Sequence, residues 1–374
     1  MRVEPAVPPE VLAAIRAPLA RKAQAAQVPI VQPLALALDL AGEALRARLF
    51  VVQAEGGEEM CLRPDFTLGV ARHHLASGDA SGRYVYEGAA FRASAGGESA
   101  EEFLQVGVEV YSSGGATAGR DVEIVGQAWA ASVAGGRKDL TLWLGDVGLF
   151  GAFIDSLGLP QGLGARLRRA AGRPRMMQAE LSRAGRAPAP AGGGQLADVL
   201  SGLPERQAAT VIEELWSLAG VTPVGGRGPG EIAGRLVRRA EAARAVALTQ
   251  AQADAIRGFL AVSDAPAKAL AKVRKLGGGS AGLEAALNSW DERLAALAAV
   301  VPPKATRFAP ALGHAFDYYD GLTFEVRSAA LGEARPVAVG GRYDGLLVRL
   351  GGPRNGRAVG CMVRPWRAFS GGAA

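Results

Sequence analysis

Strand-like patterning occurs in two separated blocks of this chain, and their separation restricts the fold more than any single motif. The first block holds Arg83–Ser94 (RYVYEGAAFRAS), Glu102–Tyr111 (EFLQVGVEVY) and Asp139–Leu144, and the second runs from Phe308 to Val363. Between them stand helical segments separated by glycine and proline: Gln161–Ala171, Met176–Ala184, Pro204–Leu218, Glu231–Ala247, Ala251–Ser263, Pro266–Leu276 and Leu283–Val300. A sheet interrupted by a helical insert is an α+β arrangement in which both halves of the sequence build one core. The expected organisation is a first part of the domain over 1–150, a mostly helical insertion over 151–300, and a second part over 301–374.

Composition removes several classes of function. The 374 residues suffice for a large core, and 49% are hydrophobic. Yet no run approaches the roughly 20 apolar residues that a membrane span requires. The start, MRVEPAVPPEVLAAI, carries prolines and acids where a signal peptide needs a basic flank and an apolar segment, so a cytoplasmic location is expected. Two cysteines, Cys61 and Cys361, and three histidines are too few for a disulfide framework or a zinc site, and no metal or cofactor is expected. The net charge of +6 comes from arginines spread along the chain without an aromatic–basic patch, which reads as solvated helix faces rather than a nucleic-acid surface.

Taken in order, Pro9–Ala26 spaces Leu12, Ile15 and Leu19 as an amphipathic helix, and Val28–Pro33 is extended because each proline disfavours helix before it. Leu34–Phe50 is expected to be helical, with a strand from Phe50 to Gln53. After LRPDFT (Leu62–Thr67) a helix runs over Leu68–Ala76, with Thr67 or Asp65 placed to cap it. In EFLQVGVEVY, Leu104, Val106, Val108 and Val110 alternate with Gln105, Gly107, Glu109 and Tyr111, so one face is buried and the other presents Gln105 and Glu109 to a cleft. Asp121–Ser132 is a helix. Helix Tyr343–Leu350 lies between strands Pro336–Gly341 and Ala358–Val363.

One stretch of the second block, GHAFDYYDGLTFEV (Gly313–Val326), reads as a hairpin. Asp320-Gly321 suits a two-residue type I′ turn between Phe316–Tyr319 and Thr323–Val326, which would send Tyr318 and Tyr319 to opposite faces. Other readings of these residues stay open. Asp317 and Glu325 can pair with Arg327 or Arg342 inside the sheet, Glu109 can be satisfied by the backbone, and His73 and His74 suit a solvent-facing or core-edge position.

LRPDFT, AFRAS followed by EFLQVGVEVY, FDYYDGLTFEV, VGGRYDGLLVRLGG and AVGCMVRPWR, in that order, resemble the catalytic domain of histidyl-tRNA synthetase, a class II synthetase. The resemblance runs from about Val28 to Arg367 and is weakest in the helical insert. It implies an antiparallel sheet flanked by helices and a dimer formed through the first motif, at Pro33. It also implies a histidine pocket drawn from Asp65, Thr67, Arg92, Gln105, Glu109, Tyr319 and Tyr343. Carboxylates Asp65 and Glu109 suit the ligand's α-ammonium and imidazole N–H, Arg92 or Gln105 its carboxylate, and the tyrosines its ring.

The nucleotide half departs from the family pattern. Ser94 stands where the family has a glutamate, His314 where it has an arginine, and Arg364-Pro365-Trp366 where a small residue admits the nucleotide, although Arg367 matches the motif's arginine. Glu98, Glu101 and Glu102 would repel a polyphosphate. No anticodon-binding domain is expected after the last motif. This pattern is similar to one branch of the family, the regulatory subunit of the short-form ATP phosphoribosyltransferase of histidine biosynthesis. That likeness implies a catalytically silent chain that assembles with the short catalytic subunit, self-associates as a dimer and conveys feedback inhibition by L-histidine, bound in the ancestral pocket or at a subunit interface. The competing expectations are a synthetase-like ligase that activates an amino acid with ATP for a non-tRNA acceptor, and a tRNA-binding module.

Overall fold

A computed structural model of the chain describes residues 1–41, 43–53, 57–94, 99–115, 117–171, 174–185, 203, 207, 210–211, 213–215, 218, 247–313 and 318–372. The expected connectors Pro188–Gly194 and Pro223–Gly230, helix Glu231–Ala247 apart from its last residue, and much of Pro204–Leu218 lie outside them. So do His314–Asp317 and the centre of the loop Ala95–Glu101.

Eleven strands occur in chain order among the described residues: β1 Gln24–Ala25, β2 Val31–Pro33, β3 Val51–Val52, β4 Met60–Leu62, β5 Gly82–Phe91, β6 Glu102–Ser113, β7 Leu140–Asp146, β8 Thr306–Phe308, β9 Leu322–Ser328, β10 Ala338–Arg342 and β11 Gly356–Val363. Eight form one sheet in the order β1-β5-β6-β11-β10-β9-β7-β8. Pairing is antiparallel from β5 through to β7, and parallel only where β1 and β8 add to the two edges. The joint between the sequence halves is β6·β11, in register from Val106↔Val363 to Ser113↔Gly356. The α+β sheet flanked by helices is therefore present, built from both blocks.

Helices cover both sides of β6. The helix Thr67–Ser77 puts Leu68, Ala71 and His74 into a core with Tyr84, Tyr86, Tyr111 and Tyr343. Helix Ala118–Ala134 buries Ile124, Ala128 and Ala131 at helical spacing and packs across β9, β10 and β11. As a result Gln105 and Glu109, expected at an open cleft, are 0% and 1% exposed, as deeply buried as Val106, Val108 and Val110 on the other face. Strand periodicity assigns faces correctly and says nothing about what covers them.

Local expectations fail where long-range partners take over. Helix Pro9–Leu19 ends before the predicted Ala26, because Gln24 and Ala25 pair with Tyr84 and Val85 as an edge strand. Leu34–Phe50 divides into helix Leu34–Ala41 and a 3-10 segment Glu43–Arg48. The helix after LRPDFT has Phe66 at its N-cap with no cap bond from that side chain; the Asp65 carboxylate faces the Thr67 and Leu68 amides of the first turn, whereas the Thr67 hydroxyl points at Glu109.

The expected hairpin also differs. Neither Asp320 nor Gly321 has positive φ, which excludes a type I′ turn, and Tyr318 and Tyr319 precede β9 outside any strand. Asp320 is used at a distance: its carboxylate accepts from the amides of Asp344 (3.1 Å) and Gly345 (2.5 Å), capping helix Asp344–Arg349. Within the sheet, Glu325 pairs with Arg327 at 2.7 Å, while Arg342 turns to Asp121 and Asp344.

The described chain divides into two compact units, one of residues 1–156 and 257–374 and the other of residues 157–256. The helical unit is thus shorter than the span 151–300, because helices Pro266–Leu276 and Ala281–Leu297 belong to the sheet-containing unit. Trp290 stacks edge-on against Phe308 at 4.7 Å and donates its indole N–H to Asp146 at 2.7 Å. In the smaller unit, helices Gln161–Ala170 and Pro174–Ser182 are joined by a two-pronged Arg166–Glu180 pair at 3.2 and 2.7 Å.

Candidate ligand site and the arginine cluster beside it

Asp65, Thr67, Arg92, Gln105, Glu109 and Tyr319 line one enclosed cavity of about 20 Å³. Strand β6 supplies Gln105 and Glu109, the β4-to-helix turn supplies Asp65, the helix start supplies Thr67, and the segment before β9 supplies Tyr319. Tyr343 stands behind Glu109 rather than on the wall.

Glu109 is the hub. Its carboxyl accepts from Thr67 Oγ1 at 2.8 Å, from the Tyr343 hydroxyl, and from the Tyr86 hydroxyl at 3.5 Å. Burial raises its pKa to about 8, against the pull of those hydroxyls, so the group is mostly protonated at neutral pH. One glycine makes room for it and a second for its partner Tyr86. Gly360 lies opposite Glu109 across β6·β11, and a Cβ there would overlap Glu109 Oε2; a Cβ at Gly107 would overlap the Tyr86 ring tip. Gly360→Ala is therefore expected to displace the carboxyl and destabilise the protein by about 2 kcal/mol or more in urea unfolding. An unchanged midpoint would show that Glu109 rearranges freely.

Polar atoms in the cavity remain unmatched. Gln105 is fully buried, and neither Nε2 nor Oε1 has a hydrogen-bond partner among the described residues. Asp65 accepts from the Tyr318 hydroxyl at 3.1 Å through Oδ2, while its Oδ1 has no partner among them. Burial pushes the Asp65 carboxyl up, and the Arg92 charge opposes it. Unsatisfied buried groups cost about 1–3 kcal/mol each, which marks this cavity as a place for a polar guest. At this volume it holds about one water, so a larger ligand enters only when the tyrosine wall moves.

Six wall residues were not among those named for the pocket: Tyr86, Tyr318, Val339, Gly360, Cys361 and Met362. Tyr318 is buried in the core cluster and also reaches the cavity beside Tyr319, their ring centroids 4.7 Å apart, because the alternation of faces does not apply outside a strand. Tyr86 faces the cavity from β5. His74 is buried, stacked on Tyr111 at 4.4 Å with Nδ1 3.2 Å from the Tyr84 hydroxyl, whereas His73 is exposed.

Of the residues expected at a degenerate nucleotide site, Arg364, Trp366 and Arg367 follow β11, Ser94 lies at the end of the β5 segment, and His314 is outside the described residues. The N-terminal segment runs between them. Val3 bridges to Glu102, the Glu4 amide donates to Glu102 O at 2.8 Å, and the Glu101 amide donates to Arg2 O at 2.8 Å. Glu101 also accepts from the Ser94 amide at 3.4 Å and the Arg2 amide at 3.1 Å. Arg364 holds Glu4 with Nη2 at 2.6 Å and Nε at 3.4 Å, and its guanidinium carbon lies 3.4 Å from the Phe103 ring centroid. Nothing in the opening residues MRVEPAVPPE marked Glu4 for this role.

The mixed sheet and buried polar pocket define a class II synthetase-like protein. A family profile described as histidyl-tRNA synthetase matches residues 25–216 and 233–365. Curated relatives described as ATP phosphoribosyltransferase regulatory subunits include one from Mesorhizobium japonicum, 38% identical over 89% of each chain, and one from Brucella anthropi, 34% identical over 92% of each. Solved structures share the fold. An ATP phosphoribosyltransferase regulatory subunit/histidyl-tRNA synthetase from Bacillus halodurans has a TM-score of 0.63 at 20% identity, covering 97% of this chain and 78% of that one. A Nostoc histidyl-tRNA synthetase has a TM-score of 0.58 at 16% identity, covering 96% and 70%. The chain belongs to the histidyl-tRNA synthetase family, within its branch of ATP phosphoribosyltransferase regulatory subunits. Among the described residues no helix is long and apolar enough to cross a membrane.

Proposed function

We propose that this chain activates a short ATP phosphoribosyltransferase catalytic subunit and conveys feedback inhibition by L-histidine, without catalysing a reaction itself. The observation that carries the sensing half is the set of unmatched buried polar atoms on Gln105 and Asp65 beside protonated Glu109. An amino acid with a basic side chain offers the complementary groups: a carboxylate for the Gln105 amide and Arg92, and N–H donors for Asp65 and Glu109. Allostery requires histidine to bind the inhibited assembly more tightly than the active one, by a factor equal to the coupling.

Reconstitution tests the reading. Adding this chain to the purified short catalytic subunit is expected to raise its activity and to make it inhibitable by histidine; no change in either result rejects the proposal. Glu109→Ala and Tyr319→Phe are each expected to weaken histidine inhibition at least about tenfold, the loss typical of one buried polar contact. Unchanged inhibition in both variants places the sensor at a subunit interface. Clear ATP–pyrophosphate exchange with any amino acid would favour the ligase reading instead.

Self-association is proposed through the first-motif region. Ile30, Val31 and Val51, on and beside the small sheet β2-β4-β3, are 49%, 41% and 56% exposed. Ile30 and Val31 leave apolar surface at the β2 edge and Val51 at the opposite, β3 edge, and the β2 edge, which carries Pro33, suits a second copy. Val31→Asp is expected to convert a dimer to a monomer in light scattering, and an unchanged mass removes this surface from consideration.

A further inference from the structure

The N-terminal segment brings a carboxylate into a place dominated by guanidinium groups. Glu4 and Arg364 are 7% and 4% exposed at the side chain and meet in a two-pronged contact. Arg367 follows one turn later, donating through Nη1 to Pro336 O at 3.0 Å. Arg48, Arg92 and Arg335 stand close enough for their charges to oppose that of Arg367, while Glu4 supports it. Beside this pair lies a cavity of about 380 Å³, lined by Arg2, Glu4, Arg335, Trp366 and Arg367. Glu101, the other carboxylate against this segment, is taken up by the Arg2 and Ser94 amides and the chain's N-terminal ammonium, so among the described residues Glu4 alone answers Arg364, and removing it would leave Arg364 uncompensated.

We propose that segment Arg2–Pro5 is an intramolecular plug: Glu4 occupies an anion site formed by Arg364 and Arg367 and shuts it to phosphate-type anions. The plug is docked by backbone as well as by charge, through the bonds between Arg2 and Glu101 or Glu102 and between Glu4 and Glu102. A tethered carboxylate acts at an effective concentration on the order of millimolar, so a free anion of comparable contact strength is outcompeted. Guanidinium pairs bind phosphate oxygens by the same two-pronged geometry that holds Glu4 here. The inference is separate from histidine sensing, since the arm does not line the Gln105–Glu109 cavity.

Binding of inorganic pyrophosphate to the full chain, read by calorimetry, tests it. Glu4→Gln removes the charge and keeps the arm's backbone bonds; it is expected to bind pyrophosphate at least about tenfold more tightly than the wild type. That gain is expected to vanish in Glu4→Gln with Arg364→Gln. Equal affinity in wild type and Glu4→Gln, no binding to either, or a gain that survives the Arg364 change overturns the proposal. If Glu4→Gln does not fold, hydrogen exchange of the wild type decides. Pyrophosphate titrated to its solubility limit is then expected to accelerate exchange at the Glu4, Glu101 and Glu102 amides, and unchanged exchange overturns the plug.

Discussion

Replacing Glu109 by glutamine is expected to remove a pH dependence of stability that the native protein carries. The folded carboxyl titrates near pH 8 and an unperturbed one near 4.5, so between these values the folded chain holds a proton that the unfolded chain has lost. Stability contributed by this group is full below the lower value and is lost as pH rises towards the upper one. The loss over that window is on the order of 2–4 kcal/mol, allowing for relaxation around a buried group. Melting temperature measured from about pH 5 to pH 8 is expected to fall more steeply in the wild type than in Glu109→Gln, which cannot titrate. Parallel profiles would mean that Glu109 is ionised in the folded protein. The same proton bears on the sensing proposal: a cationic ligand that pairs with the ionised carboxylate must displace it, so such binding releases a proton and strengthens towards pH 8.

Asp121→Ala is expected to be the most damaging single change outside the cavity. Asp121 is 1% exposed and anchors two arginines, with Arg342 donating to Oδ1 through Nε at 3.0 Å and Nη2 at 2.5 Å, and Arg293 donating to Oδ2 at 3.2 Å. These contacts tie helix Ala118–Ala134 to the end of β10 and to helix Ala281–Leu297. Removing the carboxylate leaves the Arg342 charge buried with only Asp344 to answer it, a loss of about 3–5 kcal/mol. Urea unfolding measures this directly. Adding Arg342→Met to Asp121→Ala is expected to recover part of the loss, because the stranded charge is then gone. A single-variant loss under about 1 kcal/mol would show that water reaches the pair.

Much of the sheet was legible in the residues. The alternation in EFLQVGVEVY places Val106, Val108 and Val110 on one face and Gln105, Glu109 and Tyr111 on the other, as found. The order of the five motifs pointed to the family, which the family profile and the curated relatives then showed. The residues named for the pocket also converge, apart from Tyr343, on one cavity. Where the reading failed, the decisive partner was remote. The Asp320-Gly321 pair looked like a tight turn, but the Asp320 carboxylate caps a helix 24 residues away. Tyr318 reaches Asp65 across 253 positions. The helical span was overdrawn because Trp290 packs against Phe308 and binds Asp146, which no helical period reveals.

What the sequence determined by itself is the local grammar: which segments are strands or helices, which side chains share a face, and which family the motifs belong to. Those properties depend on spacings of two to four residues, and they survive almost any packing. Tertiary structure alone decided that Gln105 and Glu109 are sealed rather than open, that Glu109 keeps its proton, and that Glu4 meets Arg364 across 360 positions. Burial and charge pairing depend on what the rest of the chain brings within a few ångströms, and a linear pattern carries no record of that distance.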